Sequence, residues 1–303
     1  MPPDTGTRAL GELVTPELMG EVRRIELRTR RSISADVLGA YRSAFRGSGL
    51  VFSDLREYAE GDDIRHVHWK ATARSGRVLV KSYEEDRQLS IMLAVDISRS
   101  TDAGVTNGRS PYLRALEFSA LLALLAQSSG DALGLALFSD RVEELLRPER
   151  RRSQTHRVVA TLLKRRTLRP GTDIAGALRH LREHLRRPSI IFVVSDFLAP
   201  PCPNELRALA CRHDVICALT LPDGSELLPR AGLVQFLDAE SGRLMTVDTG
   251  NRRAREEFRR AEAHRIEELR KSCRASQAEL IELGPRVLES LARLMARRTA
   301  RLR

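Results

Sequence analysis

Residues 89–100 place a carboxylate and two hydroxyls at the end of an apolar run. The run is rich in branched residues, which is typical of a strand buried in a parallel sheet. It ends at Asp96, and Ser98 and Ser100 follow at alternate positions. Because ligands collect at the carboxyl ends of such strands, we expect these side chains to line a crevice. Carboxylate and hydroxyl oxygens are hard ligands, so the pattern favours a cation such as Mg²⁺ over zinc or copper.

Two later segments offer further oxygen ligands. Residues 189–196 form a second apolar run that ends at Asp196, and residues 171–173 place the hydroxyl of Thr172 just before a predicted helix. Each segment also has an ordinary structural interpretation, because Thr172 or Asp173 can cap that helix and serines are common in turns. The order of the three segments along the chain favours a metal site.

The elements that must position these residues alternate between strands and helices from residue 89 onward. We predict strands at 89–96, 133–138, 143–146, 189–196, 215–221 and 279–283, and helices at 112–127, 154–165, 174–185, 204–211, 252–273 and 287–298. Such alternation predicts a doubly wound, mostly parallel α/β sheet covered on both faces. We therefore expect an α/β domain over 89–303 with a hairpin near 233–247, preceded by a helical segment at 1–32 and a β-rich segment at 33–88.

The composition is that of a globular protein, with 303 residues of which 42% are hydrophobic and 30% charged. No apolar run is long enough to cross a membrane, and the first residues lack the pattern of a signal peptide, so we expect a cytoplasmic location. The four cysteines show neither zinc nor Cys-x-x-Cys spacing, which favours buried free thiols.

The net charge of +11 raises the question of nucleic acid. Nearly all the basic residues are arginines, as a GC-rich genome would produce, yet they cluster at residues 147–169 and again near the end of the chain. Such clusters can bind phosphates or an acidic protein face, although most are solvated surface. Because aromatic residues are only 4% of the chain and do not interleave with the arginines, nucleic-acid binding is disfavoured.

A second signature lies at residues 49–76, where charged residues, aromatics and glycine are dense. It contains Leu-Arg-Glu-Tyr, Gly-Asp-Asp, Trp-Lys and Ala-Arg in that order. From about residue 47 to 247 the chain resembles the bacterial and archaeal family known as domain of unknown function fifty-eight, in which this pattern precedes a von Willebrand factor type A (vWA)-like sheet. The order of the metal-ligand candidates likewise resembles the metal-ion-dependent adhesion site (MIDAS) of vWA domains.

These resemblances imply a ligand set and a partner. In vWA domains Mg²⁺ is held by serines, a threonine and aspartates and leaves one position for a partner's carboxylate; Mn²⁺ or Ca²⁺ are alternatives. The positions that match here are Asp96, Ser98, Ser100, Thr172 and Asp196. Members of the first family commonly accompany a MoxR-type AAA+ ATPase, a pairing associated with assembling or activating other proteins.

The 49–76 signature has two interpretations. Its charged residues can form a structural ion-pair network around a packed tryptophan, with residues 66–70 alternating as a strand, or they can form a docking surface for a partner. The residues concerned are Arg56, Glu57, Asp62, Asp63, Arg65, Trp69, Lys70 and Arg74, and we add Arg99, which lies between the two serines and could favour an acidic partner. Two histidine pairs, His66 with His68 and His180 with His184, are weaker candidates for a transition metal.

The leading hypothesis is therefore a non-enzymatic, Mg²⁺-dependent protein-interaction module that serves a MoxR-type ATPase and a client protein. A metal-dependent phosphatase or nuclease is the first alternative, since Mg²⁺ beside two aspartates can activate water. Against it, the sequence shows neither a phosphate-binding loop nor a nucleophile elbow. A basic nucleic-acid-binding adaptor that uses residues 147–169 is the second alternative.

Overall fold

The computed structural model describes residues 33–45, 49–59, 62–63, 67–86, 89–102, 110–164, 171–221, 232–237 and 244–301. Its helices and strands, in chain order, are α1 Ala35–Ala44, β1 Gly49–Glu57, α2 Trp69–Ser75, β2 Leu79–Asp86, β3 Ser90–Asp96, a short 3₁₀ helix Arg99–Asp102, α3 Pro111–Ser129, β4 Ala132–Phe138, β5 Val142–Glu149, α4 Arg152–Leu163, α5 Ile174–His184, β6 Ile190–Ser195, α6 Pro203–Ala210, β7 Asp214–Thr220, β8 Leu233–Leu237, β9 Leu244–Asp248, α7 Arg252–Ala275, β10 Glu279–Leu283 and α8 Val287–Arg301.

Six of these strands form the central sheet, in the order β10-β7-β6-β3-β4-β5. Neighbouring strands are parallel except for β5, which runs antiparallel to β4 at one edge. The chain passes from β3 to β4 on one side and later returns to β6 on the other side of β3. This reversal makes the carboxyl ends of β3 and β6 a topological switch point, where α/β proteins bind ligands. The predicted doubly wound, mostly parallel α/β fold is confirmed.

Both faces of the sheet are buried under helices. Alternate residues of β3 belong to opposite cores: Ile91, Leu93 and Val95 pack with α1, α3 and α8, whereas Met92 and Ala94 pack with α5, α6 and α7. This alternation follows from the two-residue period of a strand and explains why β3 is apolar throughout. The fully buried strand therefore holds its last residue, Asp96, in a fixed position.

The segment 33–88, predicted to be β-rich, holds helices as well as strands. It contains the antiparallel pair β1 and β2, but also the helices α1 and α2. Helix α1 packs on the α/β domain, where the Tyr41 hydroxyl donates to Asp131 Oδ2 at 2.8 Å and the ring of Phe45 lies 6.0 Å from that of Phe192. The sequence missed this helix because its apolar face is short. The predicted helical segment 1–32 lies outside the described residues.

Three smaller predictions can be compared with the structure. Strands β8 and β9 pair as a separate antiparallel sheet at the place of the predicted hairpin, whose turn lies outside the described residues. All four cysteines are free; Cys217 and Cys273 are buried as expected, but Cys202 is half-buried and Cys211 is exposed. In the part of the chain that the structure describes, no helix is long and apolar enough to traverse a bilayer.

Candidate functional site

Asp96 is fully buried at the carboxyl end of β3. The next residue, Ile97, donates its N–H to the Phe138 carbonyl at 2.8 Å, which extends the β3–β4 pairing past the aspartate. Both oxygens of the carboxyl group accept hydrogen bonds: Oδ1 from the Ser98 N–H at 2.9 Å and Oδ2 from the Ser195 hydroxyl at 2.6 Å. The side chain is thus fixed from its own strand and from the neighbouring β6.

The two serines converge as the sequence predicts. Their hydroxyl oxygens lie 3.0 Å apart, and both side chains are buried. The turn is closed by Thr101, whose hydroxyl donates to the Ser98 carbonyl at 2.8 Å. Ser98 and Ser100 therefore present two hydroxyl oxygens to one small space beside Asp96.

Asp196 follows β6 directly and is 5% exposed. Its Oδ1 accepts from the Leu198 N–H at 3.1 Å, whereas Oδ2 is buried and has no hydrogen-bond partner among the described residues. A buried carboxylate oxygen without a donor is costly unless a cation or water meets it. This orphaned oxygen is the strongest sign in the structure that the cluster is built for a ligand.

An arginine from a distant helix holds the backbone after β6. Arg265 of α7 donates from Nη1 to the carbonyls of Asp196 at 2.9 Å and Phe197 at 3.1 Å, and it pairs with Glu262 at 2.6 Å. Phe197 has a φ of 50°, which is uncommon for a bulky residue. Such conformations persist where surrounding contacts fix them, often at functional sites. Arg265 thereby fixes the direction in which Asp196 leaves the strand.

The two aspartates repel each other when both are ionised. Burial, and then the negative charge of Asp196, raise the pKa of Asp96 to about 6, although hydrogen bonds from Ser195 and Ser98 oppose the shift. Burial also raises the pKa of Asp196, whereas the nearby Ser100 hydroxyl, the hydrogen bond from the Leu198 N–H and the charge of Arg265 lower it. An environment that disfavours two negative charges favours a cation that would neutralise them.

The loop before α5 approaches the same edge of the sheet. The Asp173 N–H donates to the Ser139 carbonyl at 2.7 Å, one residue beyond the position paired with Asp96. Asp173 caps α5 by accepting from the Gly176 N–H at 2.7 Å, and a Cβ at position 176 would lie 2.1 Å from its Oδ2. Asp173 thus takes the capping role that the sequence left open between two residues. Thr172, which is half-buried, remains a candidate ligand at this edge.

The donor set fits a hard cation. Two carboxylates and the hydroxyls beside them supply oxygen only, which suits Mg²⁺, Mn²⁺ or Ca²⁺. Among the residues that the structure describes, no group of three or more His, Cys, Asp and Glu side chains could hold a metal. A zinc-type centre is therefore not found there, and His180 and His184 instead stack on each other with ring centroids 3.9 Å apart.

Part of the 49–76 signature forms the predicted ion pairs. Arg56 binds Asp62 through both terminal nitrogens, at 2.7 and 2.5 Å, and Asp62 also accepts from the Ala59 N–H. Glu57 pairs with Arg77 at 2.6 Å, a residue that the prediction did not include. Asp63 is exposed, and Arg65 lies outside the described residues.

Two predictions in this signature are wrong. Trp69 is 65% exposed, so it is not a packed anchor. Residues 68–70 do not continue as a strand, because His68 caps α2 by accepting from the Ala71 N–H at 3.1 Å, and His66 lies outside the described residues. Lys70 and Arg74 lie exposed on the same helix. An exposed tryptophan among basic residues fits a docking surface better than a packed anchor. For Trp69, Lys70 and Arg74 the docking surface therefore stays a prediction.

Some residues of the site were missed by the sequence analysis. Ser195, the closest hydrogen-bond donor to Asp96, is the one polar residue inside the β6 run and could have been noticed there. Arg265 gives no sequence signal, because it is one of many charged residues on α7 and only the tertiary fold brings it to Asp196. Arg99 is exposed between the two buried serines, so its charge faces solvent more than the cluster.

The comparisons with known proteins agree with the resemblance seen in the sequence. The family described as "Protein of unknown function DUF58" matches residues 54–268. The uncharacterized protein Rv1480 of Mycobacterium tuberculosis is 29% identical over 278 residues, which cover 90% of this chain and 86% of the relative.

Among solved structures, the chain is similar to an aerotolerance-related membrane protein from Bacteroides fragilis, with a TM-score of 0.45, 15% identity and coverage of 70% of this chain and 99% of that one. It is also similar to the SpRpn10 VWA domain, with a TM-score of 0.35, 14% identity and coverage of 69% and 95%.

Proposed function

Because the chain belongs to the DUF58 family and carries a vWA-like α/β domain, we propose that it is a metal-dependent protein-interaction module. One observation carries the proposal: a buried cluster of Asp96, Ser98, Ser100 and Asp196 with an orphaned carboxylate oxygen at the switch point of the sheet. The cluster offers oxygen ligands and an excess of negative charge, and it lies at the sheet edge where α/β proteins bind ligands.

The chain's own residues would hold the ion and set the charge of the site. Asp96, Ser98, Ser100, Thr172 and Asp196 would hold Mg²⁺, with Mn²⁺ or Ca²⁺ as alternatives. Hydrogen bonds from Ser195 and the backbone fix Asp96, and Arg265 fixes the backbone of Asp196. When bound, the ion would supply an open coordination position that attracts a partner's carboxylate.

The proposed partner is a MoxR-type AAA+ ATPase, with which the module would act in the assembly or activation of a client protein. This part of the proposal is supported by the sequence pattern of the family at residues 49–76. The exposed Trp69 and the basic residues beside it on α2 supply a second contact surface for such a partner.

The experiment has two stages. Calorimetry first measures Mg²⁺ and Mn²⁺ binding to the wild type, Asp96→Ala and Ser98→Ala. Binding of a MoxR-type ATPase is then measured in Mg²⁺ and in EDTA. We expect metal binding to be lost in Asp96→Ala and weakened in Ser98→Ala, since the first removes a charge and the second only a hydroxyl. We expect the ATPase to bind the wild type in Mg²⁺ but not in EDTA.

Asp140→Asn is the matched control, because it removes an exposed carboxylate that follows β4 at the same edge of the sheet. It should leave metal affinity within about twofold of the wild type, as expected for a surface carboxylate outside the cluster. Binding of the ATPase that persists in EDTA and in Asp96→Ala would refute the proposal. Phosphatase or nuclease turnover that disappears in Asp196→Ala would replace it with the hydrolase alternative.

A further inference from the structure

A second candidate binding surface lies along β10, the edge strand at the end of the sheet opposite β5. A groove of about 960 Å³ runs beside this strand, between α7 on one side and α8 on the other, and all five residues of β10 line it. Strand β10 pairs with β7 on one side only and stands last in the sheet order of the described chain. The groove therefore runs along an open strand edge and is not a closed cavity.

The backbone of β10 offers hydrogen bonds along this edge. Arg297 of α8 donates to the Leu280 carbonyl at 3.3 Å from the side opposite β7. Consecutive residues of a strand direct their backbone N–H and C=O groups to opposite sides. The backbone groups of Leu280 and Glu282 therefore point to the groove, and those of Ile281 point to β7. An extended peptide could pair with the outward backbone groups of Glu282, and with the Leu280 carbonyl once Arg297 releases it for a peptide carboxylate, as partners do when they add a strand to an open sheet edge.

The side chains that line the groove carry a net positive charge. Seven arginines line it, against the three carboxylates of Asp214, Glu279 and Glu282. The arginines are Arg114, Arg270, Arg274, Arg293, Arg297, Arg298 and Arg301.

The carboxylates are already neutralised by some of these arginines. Arg298 pairs with Asp214 at 2.5 Å and with Glu279 at 2.6 Å, and Arg270 pairs with Glu282 at 2.7 Å. Arg274, Arg293 and Arg297 are exposed and have no carboxylate partner among the described residues. They come from both flanking helices, so positive charge faces both sides of an added strand.

We propose that this groove docks an acidic, extended segment of a partner protein, which adds to the sheet as a strand beside β10. The backbone edge gives the pairing, and Arg274, Arg293 and Arg297 give the selectivity for Asp and Glu side chains. Since β10 is about 16 Å long, four to six peptide residues would span it. The site is distinct from the metal cluster and does not depend on a bound cation.

The first test uses charge. A fluorescein-labelled eight-residue peptide of alternating Glu and Thr is titrated with the full chain in EDTA, and anisotropy is measured. Arg293→Glu/Arg297→Glu should weaken binding at least tenfold. Arg182→Glu/Arg187→Glu makes the same change of net charge at exposed positions near the end of α5, and it should stay within twofold of the wild type. Equal loss in both double variants would overturn the proposal.

The second test separates strand addition from simple attraction of anions. Glu282→Pro removes an outward N–H but spares the inward bonds of Ile281, and proline is tolerated on edge strands. Glu282→Ala is its matched control, because it removes the same side chain and keeps the N–H. We expect the peptide to bind Glu282→Pro at least fivefold more weakly than Glu282→Ala, with both variants shown to be folded by their melting temperatures. Equal affinity for the two variants would refute strand pairing.

Two further probes complete the design. The same peptide with N-methylated glutamates keeps its charge but loses backbone donors, and it should bind at least tenfold more weakly. Single-stranded DNA of equal charge should bind more weakly than the peptide; DNA that binds as tightly would make the groove a polyanion surface and overturn the proposal. Failure of the metal-binding experiment would leave these results unchanged, so the two proposals are tested independently.

Discussion

Replacing Asp96 with asparagine should stabilise the metal-free protein at neutral pH, although it removes a residue of the candidate site. Burial and the charge of Asp196 raise the pKa of Asp96 from 3.8 to about 6. At about 1.4 kcal/mol per pH unit, the ionised carboxylate therefore costs the fold about 3 kcal/mol above pH 6. Asparagine is neutral at every pH and avoids this cost.

The sign of the pH dependence follows from which state binds the proton more tightly. The pKa of Asp96 is higher in the folded protein than in the unfolded chain. Between about pH 4 and pH 6 the folded protein therefore keeps the proton on Asp96, whereas the unfolded chain has lost it. The stabilising contribution is complete below about pH 4 and is lost as the pH rises through about 6. The wild type should thus lose up to about 3 kcal/mol over this range in EDTA.

Asparagine also has a disadvantage. Its Oδ1 can still accept from the Ser98 N–H, but its amide group cannot accept from the Ser195 hydroxyl as Oδ2 of Asp96 does. A lost buried hydrogen bond costs about 1 kcal/mol. We therefore expect Asp96→Asn to be about 2 kcal/mol more stable than the wild type at pH 7.5, and about 1 kcal/mol less stable at pH 4.

Urea denaturation in EDTA at both pH values measures this crossover. Asp36→Asn, at an exposed position on α1, is the control and should change stability by less than about 0.5 kcal/mol at both pH values. A variant Asp96→Asn that is destabilised equally at pH 4 and pH 7.5 would show that the carboxylate is not held in an unfavourable environment, and the electrostatic argument for a cation would fail.

Protons compete with the cation for Asp96, so Mg²⁺ affinity measured by calorimetry should fall by up to about tenfold per pH unit below pH 6, and a flat profile between pH 5 and pH 7 would exclude Asp96 as a ligand. Tyr41→Phe should destabilise the protein by about 1–3 kcal/mol in urea denaturation, because Asp131 Oδ2 loses its buried donor; a loss below about 0.3 kcal/mol would show that α1 does not depend on this bond.

The α/β domain could be predicted from the amino-acid pattern because its strands are buried on both faces. A strand such as β3 must be apolar at every position, and a helix such as α5 must carry an apolar stripe, so both leave clear patterns in a single sequence. The same patterns placed Asp96 and Asp196 at strand ends. Because parallel strands end at one edge, the meeting of these aspartates could be predicted without coordinates.

Local capping and surface exposure needed the structure. His68 and Trp69 looked like parts of a strand, but the chain turns into a short helix there, and His68 caps it. The pattern was ambiguous because a few residues of mixed polarity fit either period. Burial of a lone tryptophan likewise depends on what packs against it, and the sequence carries no information on that neighbour.

The distant residues that complete the site and the groove could not be predicted from the sequence. Arg265 reaches the backbone of Asp196 across 69 positions of sequence, and the arginines of α7 and α8 meet at β10 because the two helices flank the same edge strand. In the sequence these residues are ordinary members of charged helices. The packing of apolar faces sets where each helix lies in the fold. The polar side chains of these helices therefore acquire their distant partners only when the fold is complete.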